Sequence, residues 1–493
     1  MLRPASRRAS RKNASPSGPA APDGSQPYEP GPYEPGRYES DRDESGPYQS
    51  APYGSQAPYG SQPPYGPEAP YGAEPYEPDG DPRLSGGDPS WPGDGGQTGG
   101  TGGAGGTGGR GGRGPRKRGR IRRFFRRRTV RVILVLITVV CVWAAFSVGQ
   151  ALTAPGGGST SSKLAEWARD HYLGPVVTFG EWLTYQPPKV GGTPGFSLAA
   201  PPSAQPSKKY KAVHGFVPNI PEKLSSPAGN PLPGEGVWRV LETVKGEPAM
   251  FGTFLRPDKV HTSYVAGIVS LDQRLVRFQL RPGAEDPGPG NWKAQSWIPP
   301  GARTGLLATF NGGFKLNSAG GGFYLNGSYH GSLVKGAASV VYYRDGTIKI
   351  GTWGSEVRMT PNVVGVRQNL KLIVDHGRVP ANVSQDVLGS WGATLGGGYY
   401  VWRSGIGITK GGRIIFVYGP GLVVQSLANL LKRAGAVEAL QLDINPEWMS
   451  FDYYKASGHP SDPTPHALLP TQQGSIYRYY SVYSRDFTVV YAR

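Results

Sequence analysis

Three short stretches, far apart in the chain, carry the residue types that could do chemistry together. The first is Asn311-Gly312-Gly313, which ends an apolar run beginning at Leu306. A strand that runs into Asn-Gly-Gly leaves backbone N–H groups and one amide side chain at an open turn. Such a turn can cradle an anion, and it can equally be a plain hairpin. The second is Arg403, flanked by Trp402 and Ser404. A guanidinium grips a phosphate or carboxylate with two parallel hydrogen bonds, and it serves as readily in a surface salt bridge. The third is Asp443, which ends the apolar Ala439-Leu-Gln-Leu442 run and is followed by Asn445, Glu447 and Trp448. A carboxylate at the end of a buried strand is costly unless it is paired or used. Asp443 with Glu447 and an aromatic platform suits acid/base work on a sugar. The alternative is that Asp443 only caps the turn before Pro446.

Several chemistries find no support in spacing. The seven histidines are scattered, with no His-x-x-x-His pair, so no metal or other cofactor is expected. There is no Gly-x-Ser-x-Gly elbow and no phosphate-binding loop ending in Gly-Lys-Ser/Thr. The glycine triplets at 320–322 and 396–398 read as tight turns or as places of close backbone approach.

The elements that must position these residues lie in the C-terminal half. From about Gly236, short β-branched and aromatic runs recur between Gly, Pro, Asn and Asp. They predict strands over 238–244, 249–255, 264–271, 276–280, 306–310, 322–325, 339–343, 348–351, 393–395, 399–401 and 414–418. Residues 363–375 carry no clear period and are open to a helix followed by a strand. Val423, Leu427, Leu430, Leu431 and Ala434 share one helical face, Lys432 and Arg433 fill the last turn, and Gly435 follows as a cap. A strand over 437–443 comes next, so the acidic stretch ends a strand–helix–strand unit, at the carboxyl end where ligands gather in such layouts. The class expected is α+β or mixed α/β, a large mixed sheet with a few helices, preceded by a disordered tail and one transmembrane helix.

The remainder of the chain is of another kind. Gly (75) and Pro (49) make up about a quarter of the 493 residues and concentrate before residue 120. Residues 1–114 repeat Pro-Tyr pairs at Tyr28, Tyr33, Tyr48, Tyr53, Tyr59, Tyr65, Tyr71 and Tyr76, then turn to Gly-Thr-Gly-Gly. So little aliphatic surface cannot offset the entropy of ordering, and a disordered cytoplasmic tail is expected, either with a cytoplasmic partner or as a solvated arm with none. Ten Lys or Arg and no acid lie between Arg116 and Arg131, more than half of the net charge of +18. The charge is thus local, and a nucleic-acid partner is not expected. The basic segment 115–131 abuts an apolar segment, 132–152, long enough to cross a hydrocarbon core about 30 Å thick. Charge on that side alone predicts a single-pass anchor with the N-terminus cytoplasmic, the C-terminal part extracytoplasmic, and anionic-lipid contact by the basic residues. Residues 153–235 read as an extracytoplasmic linker and juxtamembrane segment, and 236–493 as the folded domain. Cys141, the single cysteine, lies in the apolar segment, so the domain has no internal disulfide.

The three stretches, in this order, resemble the phosphodiester glycosidase family. Its Asn-Gly-Gly-Phe motif stands at Asn311 to Phe314. Its Arg-x-x-Ile-Gly stretch is similar to Arg403-Ser-Gly-Ile-Gly407, followed by the turn Lys410-Gly-Gly412. Where the family usually has Leu-Asp-Gly-Gly-Gly-Ser, this chain has Leu442-Asp-Ile-Asn-Pro-Glu-Trp448, a form resembling a bacterial, membrane-anchored branch. The resemblance implies hydrolysis of a sugar 1-phosphodiester at the anomeric carbon. Asp443 would be base or nucleophile, with Arg403 and the N–H groups of Gly312 and Gly313 on the phosphodiester. Asn311 and Asn445 would orient sugar hydroxyls or water, and Glu447 would be a second acid. The substrate expected outside a bacterial membrane is an envelope glycan linked through sugar phosphates. A non-catalytic module that binds such a glycan, and a scaffold acting through its tail, are the competing classes.

Overall fold

The computed structural model describes residues 118–156, 158–199, 220–384, 391–392 and 399–493, with the side chains of 118–127 and 384 excepted. The expected tail (1–114), the strand over 393–395 and the glycine triplet at 396–398 lie outside the described residues, as does the whole first unit of the chain, residues 1–110.

Three helices come first: α1 (Arg118–Thr153), α2 (Thr160–Asp170) and α3 (Gly174–Thr184). Within α1, Arg128–Thr153 is long and apolar enough to cross a membrane. Four strands follow, β1 (Arg239–Val244), β2 (Glu247–Leu255), β3 (Ala266–Leu271) and β4 (Val276–Arg281). Then come β5 (Leu306–Asn311), the short α4 (Leu316–Ala319), β6 (Phe323–Leu325), β7 (Ser328–His330), β8 (Ala338–Tyr343) and β9 (Ile348–Thr352). The chain continues with β10 (Val363–Gln368), β11 (Leu372–Val374), β12 (Val401–Thr409) and β13 (Ile414–Leu422). It ends with α5 (Val424–Arg433), β14 (Ala436–Gln441), β15 (Phe451–Lys455), β16 (Thr464–Ala467) and β17 (Phe487–Ala492).

The α+β class is as expected, and the strands divide among three antiparallel sheets. Their orders are β1-β2-β3-β13-β12-β14-β11, β7-β6-β10-β8-β9 and β16-β15-β5-β17-β4. One core joins them. Phe310 of the third sheet meets Phe416 of the first at 5.0 Å between ring centres, and Phe451 lies 5.4 Å from Phe416. Truncating Phe416, which is fully buried, to alanine costs about 3–5 kcal/mol by the usual measure for a core aromatic.

The strand–helix–strand unit forms with one refinement. β13 and β14 both run antiparallel to β12, which lies between them, so they are parallel to each other without pairing. Helix α5 crosses above, burying Val424, Leu427, Ala428, Leu430 and Leu431. Ser426 closes its first turn by accepting from Val423 N at 3.0 Å, and Gly435 leaves it at φ +94°.

Some expectations are corrected. Residues 363–375 are two strands, β10 and β11, with no helix, because Val363, Val366, Leu372 and Val374 are buried at strand positions on sheets. The strand expected at 399–401 runs instead over Val401–Thr409; its alternating glycines, Gly405 and Gly407, allow α5 and β14 to approach. β15, β16 and β17 were not expected from the sequence, although β17 is an apolar, β-branched and aromatic run.

Candidate active site

Strand pairing brings the three stretches together. Asn311 ends β5 and Asp443 lies two residues beyond β14. Ser404 of β12 joins them: its Oγ accepts from Asn311 Nδ2 at 3.1 Å and from Asp443 N at 3.2 Å. Its backbone N donates to Asp443 O at 3.0 Å and its carbonyl accepts from Leu442 N at 2.8 Å. One buried hydroxyl therefore ties the first sheet to the third at the place where an amide and a carboxylate emerge.

Asn311 is buried, and its amide is committed: Nδ2 also donates to Gly312 O at 2.7 Å, and Oδ1 accepts from Ser450 N at 3.3 Å. Gly312 N donates to Asp486 O at 3.0 Å, continuing the β5–β17 pairing past Asn311. Glycine is required there, since a Cβ on Gly312 would lie 2.2 Å from Asp486 Oδ2. A Cβ on Gly313 would lie 2.8 Å from Asn369 Oδ1, which accepts from Phe314 N at 3.2 Å. The loop is thus clamped by a buried ion pair, Arg367 Nε to Asp486 Oδ2 at 2.9 Å, with Arg367 also donating to Phe314 O.

Arg403 is placed differently from a phosphate clamp. Its side chain is 1% exposed and donates to Leu422 O (2.9 Å), Gln441 Oε1 (2.9 Å) and Tyr399 O (3.1 Å). It ties β13, β14 and the entry to β12 behind the cavity. The guanidinium that does stand beside Asp443 is Arg485, absent from the sequence-based expectation. Phe487 pairs with Asn311, so the two residues before β17 run alongside Gly312 and Gly313. Arg485 Nη2 lies 3.7 Å from Asp443 Oδ2 and donates to Gly313 O at 3.3 Å. Its guanidinium sits 5.6 Å over the Trp448 ring. Arg485 Nε and Trp448 Nε1 are buried and make no hydrogen bond among the described residues.

Asp443 is buried; its Oδ1 accepts from Ile444 N at 2.7 Å and Asn445 N at 2.9 Å. Burial pushes its carboxyl up to about 6, against the pull of Arg485 and the two backbone donors. A carboxyl titrating near 6 is poised to take or give a proton near neutrality. Burial opposes the charge on Arg485, but Asp443, Asp286 and Glu166 outweigh it, and the group is held more firmly charged than an ordinary arginine.

A cavity of about 1360 Å³ opens here. One wall is Phe314, Lys315, Trp402, Asp443, Asn445, Glu447, Trp448 and Arg485; the other is α2 and α3. α2 reaches across with its acids. Glu166 Oε1 is 3.0 Å from Arg485 Nη1 and 3.7 Å from Lys315 Nζ, and Asp170 Oδ2 is 2.9 Å from Lys315 Nζ. Glu447 accepts from Ser159 N and Ser159 Oγ, and Asn445 Nδ2 donates to Ser162 Oγ at 3.4 Å. Asp443, Asn445 and Glu447 thus line one cavity; Asn311 is buried outside that lining and joined to Asp443 through Ser404, and Gly312, Gly313 and Arg403 also lie outside the lining.

Lys315 was legible as the residue after the Asn-Gly-Gly-Phe motif. Arg485 and Asp486 were legible only as adjacent opposite charges before an apolar run. Among the described residues, one group away from the cavity could hold a metal ion: Glu356, Asp375, His376 and Glu438, whose ligand atoms lie within 4.8 Å of one another near the start of β14. It arises from pairing between distant strands, so no ligand spacing in the sequence announces it.

Residues 304–443 match a family model described as phosphodiester glycosidase. No curated protein matches the chain. Among solved structures, the zebrafish N-acetylglucosamine-1-phosphodiester alpha-N-acetylglucosaminidase catalytic domain, auto-inhibited by its pro-peptide, is 13% identical with a TM-score of 0.34, covering 52% of this chain and 87% of that one. A hypothetical protein from Synechocystis is 12% identical with a TM-score of 0.31, covering 51% and 64%. A putative exported protein from Burkholderia pseudomallei is 12% identical with a TM-score of 0.22, covering 46% and 74%. The stretch 304–443, which holds Asn311, Arg403 and Asp443, is thus similar to the phosphodiester glycosidase family.

Proposed function

We propose that the protein is a membrane-anchored, extracytoplasmic hydrolase that cleaves a sugar 1-phosphodiester of an envelope glycan at the anomeric carbon. The observation that carries the reading is Asp443, buried in the cavity wall with its carboxyl near 6 and Arg485 at 3.7 Å. A phosphodiester needs cations, and Arg485 and Lys315 face the cavity. The reaction adds the oxygen of water to the anomeric carbon. The bond from that carbon to the phosphate oxygen breaks, its electron pair leaves on a phosphate monoester, and the water's proton passes to Asp443. Such a leaving group is already acidic, so no strong general acid is required. Asn311 acts as a positioning residue through Ser404, and Arg403 as a positioning residue for β12 and β14. The family's acidic-motif glycines are replaced here by Ile444, Asn445 and Pro446. That replacement favours a second reading, a non-catalytic module that grips the same phosphodiester.

The anchor reading is supported by Arg128–Thr153 and by the basic cluster that precedes it, which holds the N-terminus and its tyrosine-rich tail on the cytoplasmic side. A panel of sugar 1-phosphodiesters offered to the protein and to Asp443→Asn decides between the readings. Free sugar released by the parent and lost in the variant is the enzyme's result. Saturable binding by both with no release is the module's.

A further inference from the structure

We infer that the substrate is lipid-linked: a sugar 1-phosphate esterified to a long-chain alcohol, with its tail held by α3. The inference rests on the hydrolase reading above and on α1 crossing a membrane.

The geometry begins with α2, which folds back along α1. Trp167 Nε1 donates to Ser147 Oγ at 2.9 Å, and His171 Nε2 lies 3.3 Å from the same hydroxyl. The His171 ring meets Trp143 edge-on at 5.4 Å and stacks on Trp167 at 4.6 Å. Trp143 and Ser147 belong to the apolar span Arg128–Thr153. With a rise of about 1.5 Å per residue, the ten residues from Trp143 to Thr153 cover about 15 Å of that span. The end of α2 therefore packs against the outer half of that span, and α3 follows it directly in the chain.

The exposed surface of α3 is apolar. Val176, Phe179, Trp182 and Leu183 are 66%, 61%, 55% and 68% exposed, a contiguous apolar face of the kind that marks an interaction site. Phe179 and Trp182 also line the cavity whose far wall carries Asp443, Arg485 and Lys315. One cavity thus joins an apolar helix to a cationic site with a basic carboxylate. A ligand complementary to both ends has a sugar-phosphate head and a hydrocarbon tail. A soluble phosphodiester would leave the α3 wall unused.

The test uses the full chain in phosphatidylcholine nanodiscs, carrying Asp443→Asn so that nothing turns over. Methyl phosphate and octyl phosphate are titrated by calorimetry, with empty nanodiscs as the blank. Each methylene removed from water strengthens binding about fourfold, so two buried methylenes suffice for tenfold. Octyl phosphate is expected to bind at least about tenfold more tightly, and Phe179→Ser with Trp182→Ser to bring the ratio near one. Equal affinities, or an octyl advantage that survives the double variant, overturn the inference. Both side chains are more than half exposed, so folding is retained, and an unchanged melting temperature verifies it. A parallel assay of the parent with the methyl and octyl esters of a sugar 1-phosphate separates the two readings. An octyl preference in binding with no cleavage of either ester refutes the hydrolase and leaves the lipid groove; cleavage of both at equal kcat/KM refutes the lipid groove and leaves the hydrolase.

Discussion

Replacing Arg485 by methionine keeps most of the side chain's volume and removes its charge, and the consequence can be worked from the structure. Arg485 Nη2 lies 3.7 Å from Asp443 Oδ2. At that distance, with an effective dielectric of about 20, the pair is worth about 4 kcal/mol, or about three pH units for Asp443. That is an upper limit, because Glu166 at 3.0 Å and Asp286 at 3.8 Å share the same guanidinium. A shift of about one unit is the working expectation, from about 6 in the parent to about 7 in the variant. If Asp443 must be ionised to act, the acidic limb of the pH–rate profile moves up by that amount. Activity at pH 6 then falls about fivefold more than at pH 8, where Asp443 is ionised in both proteins. The pH-independent part of the loss reports the missing grip on phosphate, so one experiment separates Arg485's two roles. The assay is initial-rate sugar release between pH 4.5 and 9, with melting curves at each pH to verify folding. An acidic limb that stays near 6, or moves to lower pH, refutes the pairing as the source of Asp443's tuning.

Four further outcomes are expected. Gly312→Ala drives a methyl group into Asp486 and opens the Arg367 pair, costing about 3 kcal/mol of stability, read as a lower melting temperature. Arg403→Lys strands buried acceptors on Leu422 and Tyr399 and is expected to cost about 2 kcal/mol of stability; a raised KM with unchanged melting would instead assign Arg403 to substrate. Glu166→Gln removes the acid paired with Arg485 and Lys315 and is expected to raise affinity for methyl phosphate by about tenfold in calorimetry; unchanged affinity would mean that α2 does not compete with anions. Burial pushes the carboxyls of Asp443 and Asp452 up to about 6 and about 7. The folded chain therefore holds protons that the unfolded chain has released, and stability falls as pH rises from about 4 to about 7. Chemical denaturation at pH 4.5 and 7.5 checks the sign, and Asp452→Asn flattens the slope.

What could be read ahead of the structure follows from how local each signal is. The face of α5, its basic last turn and Gly435 lie within a dozen residues, and the helix forms where expected. Asn311 and Asp443 were legible because each ends an apolar strand, and a polar group there must be either paired or used. Arg403 was assigned to the phosphodiester because a guanidinium next to a strand end invites it. Its carbonyl partners on Leu422 and Tyr399 come from pairing and burial that no local pattern encodes. Arg485 reaches Asp443 only because β17 pairs with β5 across more than a hundred residues. α2 lies in the stretch expected to be linker and juxtamembrane segment, and nothing in its own sequence says that Glu166 faces Arg485.

The central claim concerns which bond is broken. The parent protein is incubated with an alkyl ester of a sugar 1-phosphate in water enriched in oxygen-18, and the alkyl phosphate product is weighed by mass spectrometry, with Asp443→Asn alongside. Attack at the anomeric carbon predicts an alkyl phosphate free of the heavy isotope, formed by the parent and absent with the variant. Heavy oxygen in a phosphate product would place the cleavage at phosphorus, and equal product from the variant would remove Asp443 from the reaction; either result contradicts the account.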